Sequence, residues 1–427
     1  MRERIVAPLR SRAFRWVWGG EGLSMLGDCA FDVAFIWLVL QVTGSPVALA
    51  GAMLAQAIPR AVLMLLGGAI TDRFSPRTVM LVSHLTRGAA VGALGLVAAI
   101  GDVAVWQLLL LAAVMGAAEA FFWPASGSIL PSLVAARDLP RANALVGLAE
   151  QVARLAGPVL GGLAVAGAGP ALVFLLNAVT FFVAAATLRA APRAPRDPAE
   201  AATSVTAIRD EIVSGFRYAG RSWEIRVVLL LISAATLSYS GLFAVGLPAL
   251  AGTFPQGALA LGLLLSAWGL GQLLGTVGAG ITGLPARWGI LIIGVTLCEG
   301  AAFAGLGFLP NPWAAAALLV VLGIGVAYST DVALPTFVQT RTPGELLGRV
   351  NSILNAPRVV LEPLSLALMG VVVAIDVRWG FAMAAVPMLA VGLTLLASRN
   401  ARQLRMPTAA AGGTGPAASS VPVESET

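Results

Sequence analysis

The stretch Arg141–Arg154 reads RANALVGLAEQVAR, and Arg349–Glu362 reads RVNSILNAPRVVLE. At a constant offset Arg141 falls on Arg349, Asn143 on Asn351, Glu150 on Arg358 and Arg154 on Glu362. Both copies carry an acid and a base four residues apart, in opposite order, at the head of a long apolar run. A second match lies in the same halves: GGAITDRFSPR at Gly67–Arg77 against GAGITGLPAR at Gly278–Arg287, the later copy lacking the acid. Two matches in register point to an internal duplication, so the fold is built from two related halves.

Working outward from these segments, nearly everything between them is apolar. Of 427 residues 58% are hydrophobic and 11% charged, with a mean hydropathy of +0.88. Backbone that runs through hydrocarbon must satisfy its own hydrogen bonds, and long Leu/Ala/Val runs do so as helices rather than as alternating barrel strands. Runs long enough to cross a bilayer, ~20 residues each, fall at 14–40, 46–70, 78–100, 104–128, 142–166 and 170–189, then at 226–250, 256–280, 286–308, 312–336, 350–374 and 379–398. The expected architecture is an all-α membrane protein of twelve transmembrane helices in two pseudo-symmetric six-helix bundles. Residues 1–189 would form the first bundle, 190–225 a polar cytoplasmic linker, 226–405 the second bundle and 406–427 a disordered Ala/Gly/Ser/Pro/Glu tail.

The 27 basic residues are all arginine, and each stays charged under accessible conditions. They gather at Arg2, Arg4, Arg10, Arg12, Arg73, Arg77, Arg137, Arg141, Arg287, Arg341, Arg349, Arg399, Arg402 and Arg405 on one side of the predicted topology, against Arg378 on the other. This asymmetry places both termini in the cytoplasm of a cell whose inner membrane holds the chain. Basicity therefore reports topology, and no nucleic-acid partner is expected. The first span is too long and too acidic for a cleavable signal peptide. Cys29 and Cys298 are too few and too distant for a disulfide framework or metal site. No HExxH, CxxC or phosphate-loop pattern occurs, and one histidine leaves no nucleophile–base pair, so neither an enzyme nor a cofactor or metal is expected.

Ionisable side chains inside the spans carry more information, because each costs ~2.5–3.5 kcal/mol at mid-helix and must face a bundle interior or a cavity. Glu21, Asp28 and Asp32 in the first span fall within a ~40° stripe at ~100° per residue. Carboxylates so placed repel each other and favour a proton shared among them, which is what proton coupling needs. Arg60, Arg87, Arg154, Arg358 and Glu362 are the candidate counter-ions. Glu119 and Glu150 are further proton-coupling or cavity candidates, while Glu299 and Asp331 are single acids on apolar helices, Asp331 close to the cytoplasmic end. Glu150 with Arg154, and Arg358 with Glu362, read as pairs within one helix. His84 reads first as a packing residue and second as a proton relay. Phe121, Phe122 and Trp123 are candidates for lining an apolar cavity.

The motifs also carry a resemblance. Gly68, Asp72, Arg73 and Arg77 resemble the cytoplasmic loop motif of the major facilitator superfamily. FRWVWGGEGLSMLGD at Phe14–Asp28, AFFWPASGSILPSLV at Ala120–Val134 and QTRTPGELLGRVNSI at Gln339–Ile353 resemble its branch containing macrolide-efflux proteins and the enterobactin exporter. GPVLGG at Gly157–Gly162 is similar to the core of the superfamily's antiporter motif, with Ala153 where an upstream glycine is usual. Other departures are Glu21 in place of Gln, His84 in place of an acid, and Ser75-Pro76 in place of the second loop glycine. The resemblance implies alternating access, with Asp72, Arg73 and Arg77 latching an inner gate and Gly157, Pro158, Gly161 and Gly162 forming a hinge that limits leak. The expected activity is proton-coupled efflux of an amphiphilic drug, antibiotic or siderophore by a monomer, with protons and the lipid bilayer as its other partners. Proton-coupled import, lipid flipping and membrane sensing without transport remain open alternatives on the residues alone.

Overall fold

The structure is a computed structural model and describes residues 7–192, 220, 222–283, 287–342 and 344–405, the side chains of 65–73, 344–349, 351 and 352 excepted. Among these residues twelve helices are long and apolar enough to cross a membrane. In chain order they are α1 (Arg12–Thr43), α2 (Pro46–Arg73), α3 (Pro76–Ile100), α4 (Val105–Leu133), α5 (Leu139–Ala168), α6 (Pro170–Thr187), α7 (Trp223–Gly252), α8 (Ala258–Thr282), α9 (Trp288–Leu306), α10 (Pro312–Arg341), α11 (Gly344–Ile375) and α12 (Val377–Ala397). The expected spans are all present. The linker at 190–225 and the tail at 406–427 lie outside the described residues, apart from 190–192, 220 and 222–225.

Local sequence sets the helix ends. The Ser11 side chain accepts from Phe14 N–H at the start of α1, and Gly44, at φ 61°, closes its other end in the left-handed conformation. Ser75 caps α3 with Pro76 in its first turn, and Asn311 and Pro312 open α10 in the same way. Because α2 continues through Arg73, only Phe74 and Ser75 separate it from α3. Asp72 and Arg73 therefore end a helix rather than sit in a loop, Gly68 lies inside it, and Arg77 opens the next one.

Packing repeats between the halves. Helix α1 packs on α5 and α6, as α7 packs on α11 and α12; α2 packs on α4 as α8 does on α10; α3 packs on α6 as α9 does on α12. Among the described residues the two most extensive interfaces between the bundles are α2 with α11 and α5 with α8. At the end opposite the termini one apolar core runs through both bundles, from Phe31 and Val39 in α1 to Leu261 in α8 and Val373 in α11. At the terminus end it divides: Phe14, Met80, Phe122 and Leu145 form one cluster and Ile225, Trp288, Phe337 and Leu395 another. The bundles thus meet at one end and part at the other.

Candidate functional site

Charged side chains inside the first bundle gather on five helices, α1 to α5. Helix α1 presents Glu21 and Asp28 to α3, where His84 and Arg87 lie one turn apart. His84 is 0% exposed and Arg87 3%. Glu21 Oε1 and His84 Nε2 are 2.8 Å apart, and His84 Nδ1 lies 3.3 Å from an Arg87 nitrogen. A guanidinium only donates, so Nδ1 accepts and the imidazole proton sits on Nε2, donated to Glu21. His84 is thereby the neutral link between an acid and a base. Arg87 also donates to Asp28 Oδ2 at 3.5 Å, and Asn177 of α6 donates to Asp28 Oδ1 at 3.2 Å. The guanidinium is held between two rings, 4.4 Å from the centroid of Phe122 and 4.5 Å from that of Phe181.

Asp32, one turn further along α1, is exposed, and the charges acting on it come from Asp28, Glu119, Arg154 and Arg60. It therefore faces the cleft walled by α2, α4 and α5. There Arg60 makes two ion pairs, with Glu119 of its own bundle at 3.5 Å and with Glu362 of the other at 2.5 Å. Gln56 adds a hydrogen bond to Glu119 at 3.3 Å.

These contacts revise the pairing expected from spacing. Glu362 is bonded to Arg60 across the bundle interface and forms no ion pair with Arg358. Glu150 and Arg154 likewise form no ion pair among the described residues, although they lie four apart on α5. Glu150 instead lines a 260 Å³ pocket with Glu21, Trp18, Phe122 and Trp123, and Arg154 is exposed near Asp32. A close crossing of helices rotates side chains toward partners on other elements, and desolvated charges follow the nearest opposite charge.

GPVLGG sits where α5 crosses α1 and α8. A Cβ at Gly161 would lie 2.5 Å from Ala30 O, and one at Gly162 would lie 2.7 Å from Ala258 O. Across the interface, a Cβ at Gly262 would lie 2.3 Å from Pro158 O. Val159 N–H donates to Ser266 Oγ at 3.0 Å, adding a hydrogen bond between the bundles one residue after the proline. At the terminus end Arg77 reaches the Arg189 carbonyl oxygen at 3.4 Å; the side chains of Gly68, Asp72 and Arg73 lie outside the described residues.

The larger cavity, 410 Å³, lies in the second bundle. Tyr239, Phe243 and Trp268 wall it, with Phe243 and Trp268 in edge contact at 4.9 Å between centroids. Glu299, 3% exposed, accepts the Tyr239 hydroxyl proton at 2.8 Å, and Gln272 donates to Asp331 at 3.2 Å. Asp331, which is exposed, also lines this cavity. Phe122 is not a wall of this larger cavity but packs in the first bundle's core, with Phe121 against it and Trp123 on the smaller pocket. A signal for the aromatic wall was available: Tyr239 and Trp268 lie in mid-span, whereas Trp and Tyr that merely anchor a helix gather at its ends.

Two six-helix bundles that meet at one end, with an ion pair between them and a cavity within each, are the architecture of a membrane transporter of the major facilitator superfamily. The family described as transmembrane secretion effector (MFS_3) matches residues 4–410, and the chain belongs to it. It is 27% identical over 311 residues to the enterobactin exporter EntS of Shigella boydii serotype 18, covering 72% of each chain. In fold it is similar to a bacterial homologue of the iron transporter ferroportin in an inward-facing state, with a TM-score of 0.67 at 18% identity over 90% of this chain and 97% of that one. It is also similar to a D-xylose–proton symporter, with a TM-score of 0.69 at 14% identity over 89% and 96%.

Proposed function

We propose that this transporter expels an amphiphilic small molecule, a drug, antibiotic or siderophore, from the cytoplasm in exchange for protons. It works as a monomer by alternating access between bundles 1–189 and 226–405, joined by the linker 190–225. The observation that carries the reading is the Glu21–His84–Arg87–Asp28 chain. It places two membrane-embedded carboxylates on opposite ends of one buried base pair, with Asp32 a turn away on the cleft. Protonating Asp28 removes the charge that holds Arg87, and the guanidinium then has only the His84 ring and two aromatic faces to bind. A proton thereby becomes a change in how α1 is held against α3 and α6. Efflux as the direction is supported by the exporter relatives and by the GPVLGG crossing. With both termini in the cytoplasm the separated end is the inner one, so substrate is taken from inside, the Asp72, Arg73 and Arg77 segment closes that end in the other state, and the GPVLGG crossing limits leak while α5 pivots.

Inverted membrane vesicles energised with a proton gradient test this. Wild-type chain should accumulate fluorescent dyes or macrolides, and Asp28→Asn or Asp32→Asn should reduce gradient-driven accumulation at least tenfold while leaving equilibration of the same compounds. Accumulation that is indifferent to the gradient, or unchanged in both variants, would overturn the proton-antiport reading.

A further inference from the structure

The charges of the two bundles are balanced differently. In the first, Glu21 has His84, Asp28 has Arg87 and Glu119 has Arg60, while Asp32 and Glu150 form no ion pair among the described residues, and all five are less buried than Glu299. In the second, Glu299 forms no ion pair among the described residues, and the acid Asp331 shares its cavity. Only Glu299 Oε2 is hydrogen-bonded, by Tyr239. Oε1 makes no hydrogen bond among the described residues, in a side chain that is 3% exposed and lines the 410 Å³ cavity. Arg358 lines the same cavity and forms no ion pair with Glu299 among the described residues. Glu362 is already held by Arg60. A buried carboxylate without a cation is costly, and the cost falls when a positive charge occupies the space beside it.

The wall around that oxygen is aromatic. Tyr239 stacks on Phe243 at 5.7 Å with an interplanar angle of 17° and meets Trp268 at 5.6 Å. Ring faces attract organic cations, indole most strongly, and attract aromatic bodies by stacking. The backbone is irregular here too: π-helical segments at Leu242–Gly246 in α7 and Ala327–Ala333 in α10 carry Phe243, Thr330 and Asp331 into the cavity. Pro248 and Pro335 follow these segments and lack the N–H that would bond to the carbonyl four residues back.

We infer that this cavity binds the transported molecule as an aromatic organic cation, its positive centre beside Glu299 and its rings against Trp268 and Phe243. The inference rests on the efflux reading for the word transported, and it assigns the charge class of the ligand and the bundle that selects it. A molecule of the same shape with negative charge would meet Glu299 and Asp331 together and be repelled.

The test compares probes of one shape on the purified full chain in detergent, without a gradient. Binding of fluorescent ethidium is followed by anisotropy and competed with tetraphenylphosphonium, triphenylphosphine oxide and tetraphenylborate. The wild-type chain should be competed at least tenfold better by the phosphonium cation than by the neutral oxide, and not by the borate anion. Glu299→Gln, which keeps the shape and still accepts from Tyr239, should lose ethidium affinity at least tenfold and lose the preference for charge. Trp268→Ala should weaken the cation and the neutral oxide alike. Equal competition by cation, oxide and anion on wild type would overturn the assignment without any variant having to fold. Cation-selective binding alongside gradient-indifferent vesicles would uphold the site and sink the antiport reading; gradient-driven export of neutral or anionic compounds alone would do the reverse.

Discussion

At the scale of single residues, Arg87 is the side chain on which the first bundle's polar network turns. It is 3% exposed, reaches both His84 Nδ1 and Asp28 Oδ2, and lies between two aromatic faces. Arg87→Ala leaves Asp28 without its cation inside the bundle, a change that costs about 3 kcal/mol where a buried pair is broken from one side, and should appear as a lower melting temperature and poorer recovery of purified chain. Arg87→Lys keeps the charge but not the planar fork that spans two acceptors. It should fold, yet lose gradient-driven accumulation at least tenfold; accumulation at the wild-type level in a folded lysine variant would remove Arg87 from the coupling network. The acids and Arg87 could be singled out from the sequence because charge inside an apolar span needs a reason. Their partners could not. The bond between Glu21 and His84 joins residues 63 apart in the chain, and it depends on how α1 and α3 are rotated against each other. Phe122 of α4 likewise meets Arg87 and His84 of α3 only through the packing of those two helices.

At the scale of helices, the GPVLGG segment shows what its glycines do. Gly157 and Gly161 let α5 lie against α1, while Gly162 lets it lie against the start of α8. Gly161→Ala would place a Cβ 2.5 Å from the Ala30 carbonyl oxygen, which is backbone and yields only if the helices part. Overpacking of this kind costs about 1–3 kcal/mol, so the variant should melt at a lower temperature in detergent. Gly167→Ala, on the same helix with nothing within 4 Å of the added carbon, should melt at or above the wild-type temperature. Equal melting of the two variants would show that the α1–α5 crossing is looser than described. The motif was legible as a site of close approach, since glycines in a membrane helix serve little else. Which helices it brings together was not, because periodicity gives one face of one helix and says nothing of its neighbours. Helix lengths were equally readable from the apolar runs, whereas the continuation of α2 through Asp72 and Arg73 was hidden by their charge, which reads as loop.

For the molecule as a whole, the two bundle interfaces are pseudo-symmetric in packing and unlike in chemistry. Arg154 of α5 and Glu362 of α11 occupy matching places in the repeat, as Arg60 of α2 and Gly271 of α8 do. At the α2–α11 interface the pair is ionic, with Arg60 on Glu362 at 2.5 Å. At the α5–α8 interface a glycine lies on backbone instead, with a Cβ at Gly269 falling 2.9 Å from Arg154 O. The α5–α8 interface is thus held by packing and the Val159–Ser266 hydrogen bond, while the α2–α11 interface adds to its packing an ion pair that a proton or a competing cation in the adjoining cavity can weaken, since Glu362 also lines that cavity. If this bond helps hold the bundles together at the end opposite the termini, Glu362→Gln should shift the population toward the state open at that end. A cysteine in place of Ala258, 3% exposed and set against Gly162, reads the change in a chain whose Cys29 and Cys298 are replaced by alanine. With a reagent that does not cross membranes, labelling from outside intact cells should rise roughly tenfold when Glu362→Gln is added, the factor that corresponds to about 1.4 kcal/mol. Equal labelling with and without Glu362→Gln would mean that the shared apolar core alone keeps that end shut, and that Glu362 serves the cavity and not the gate.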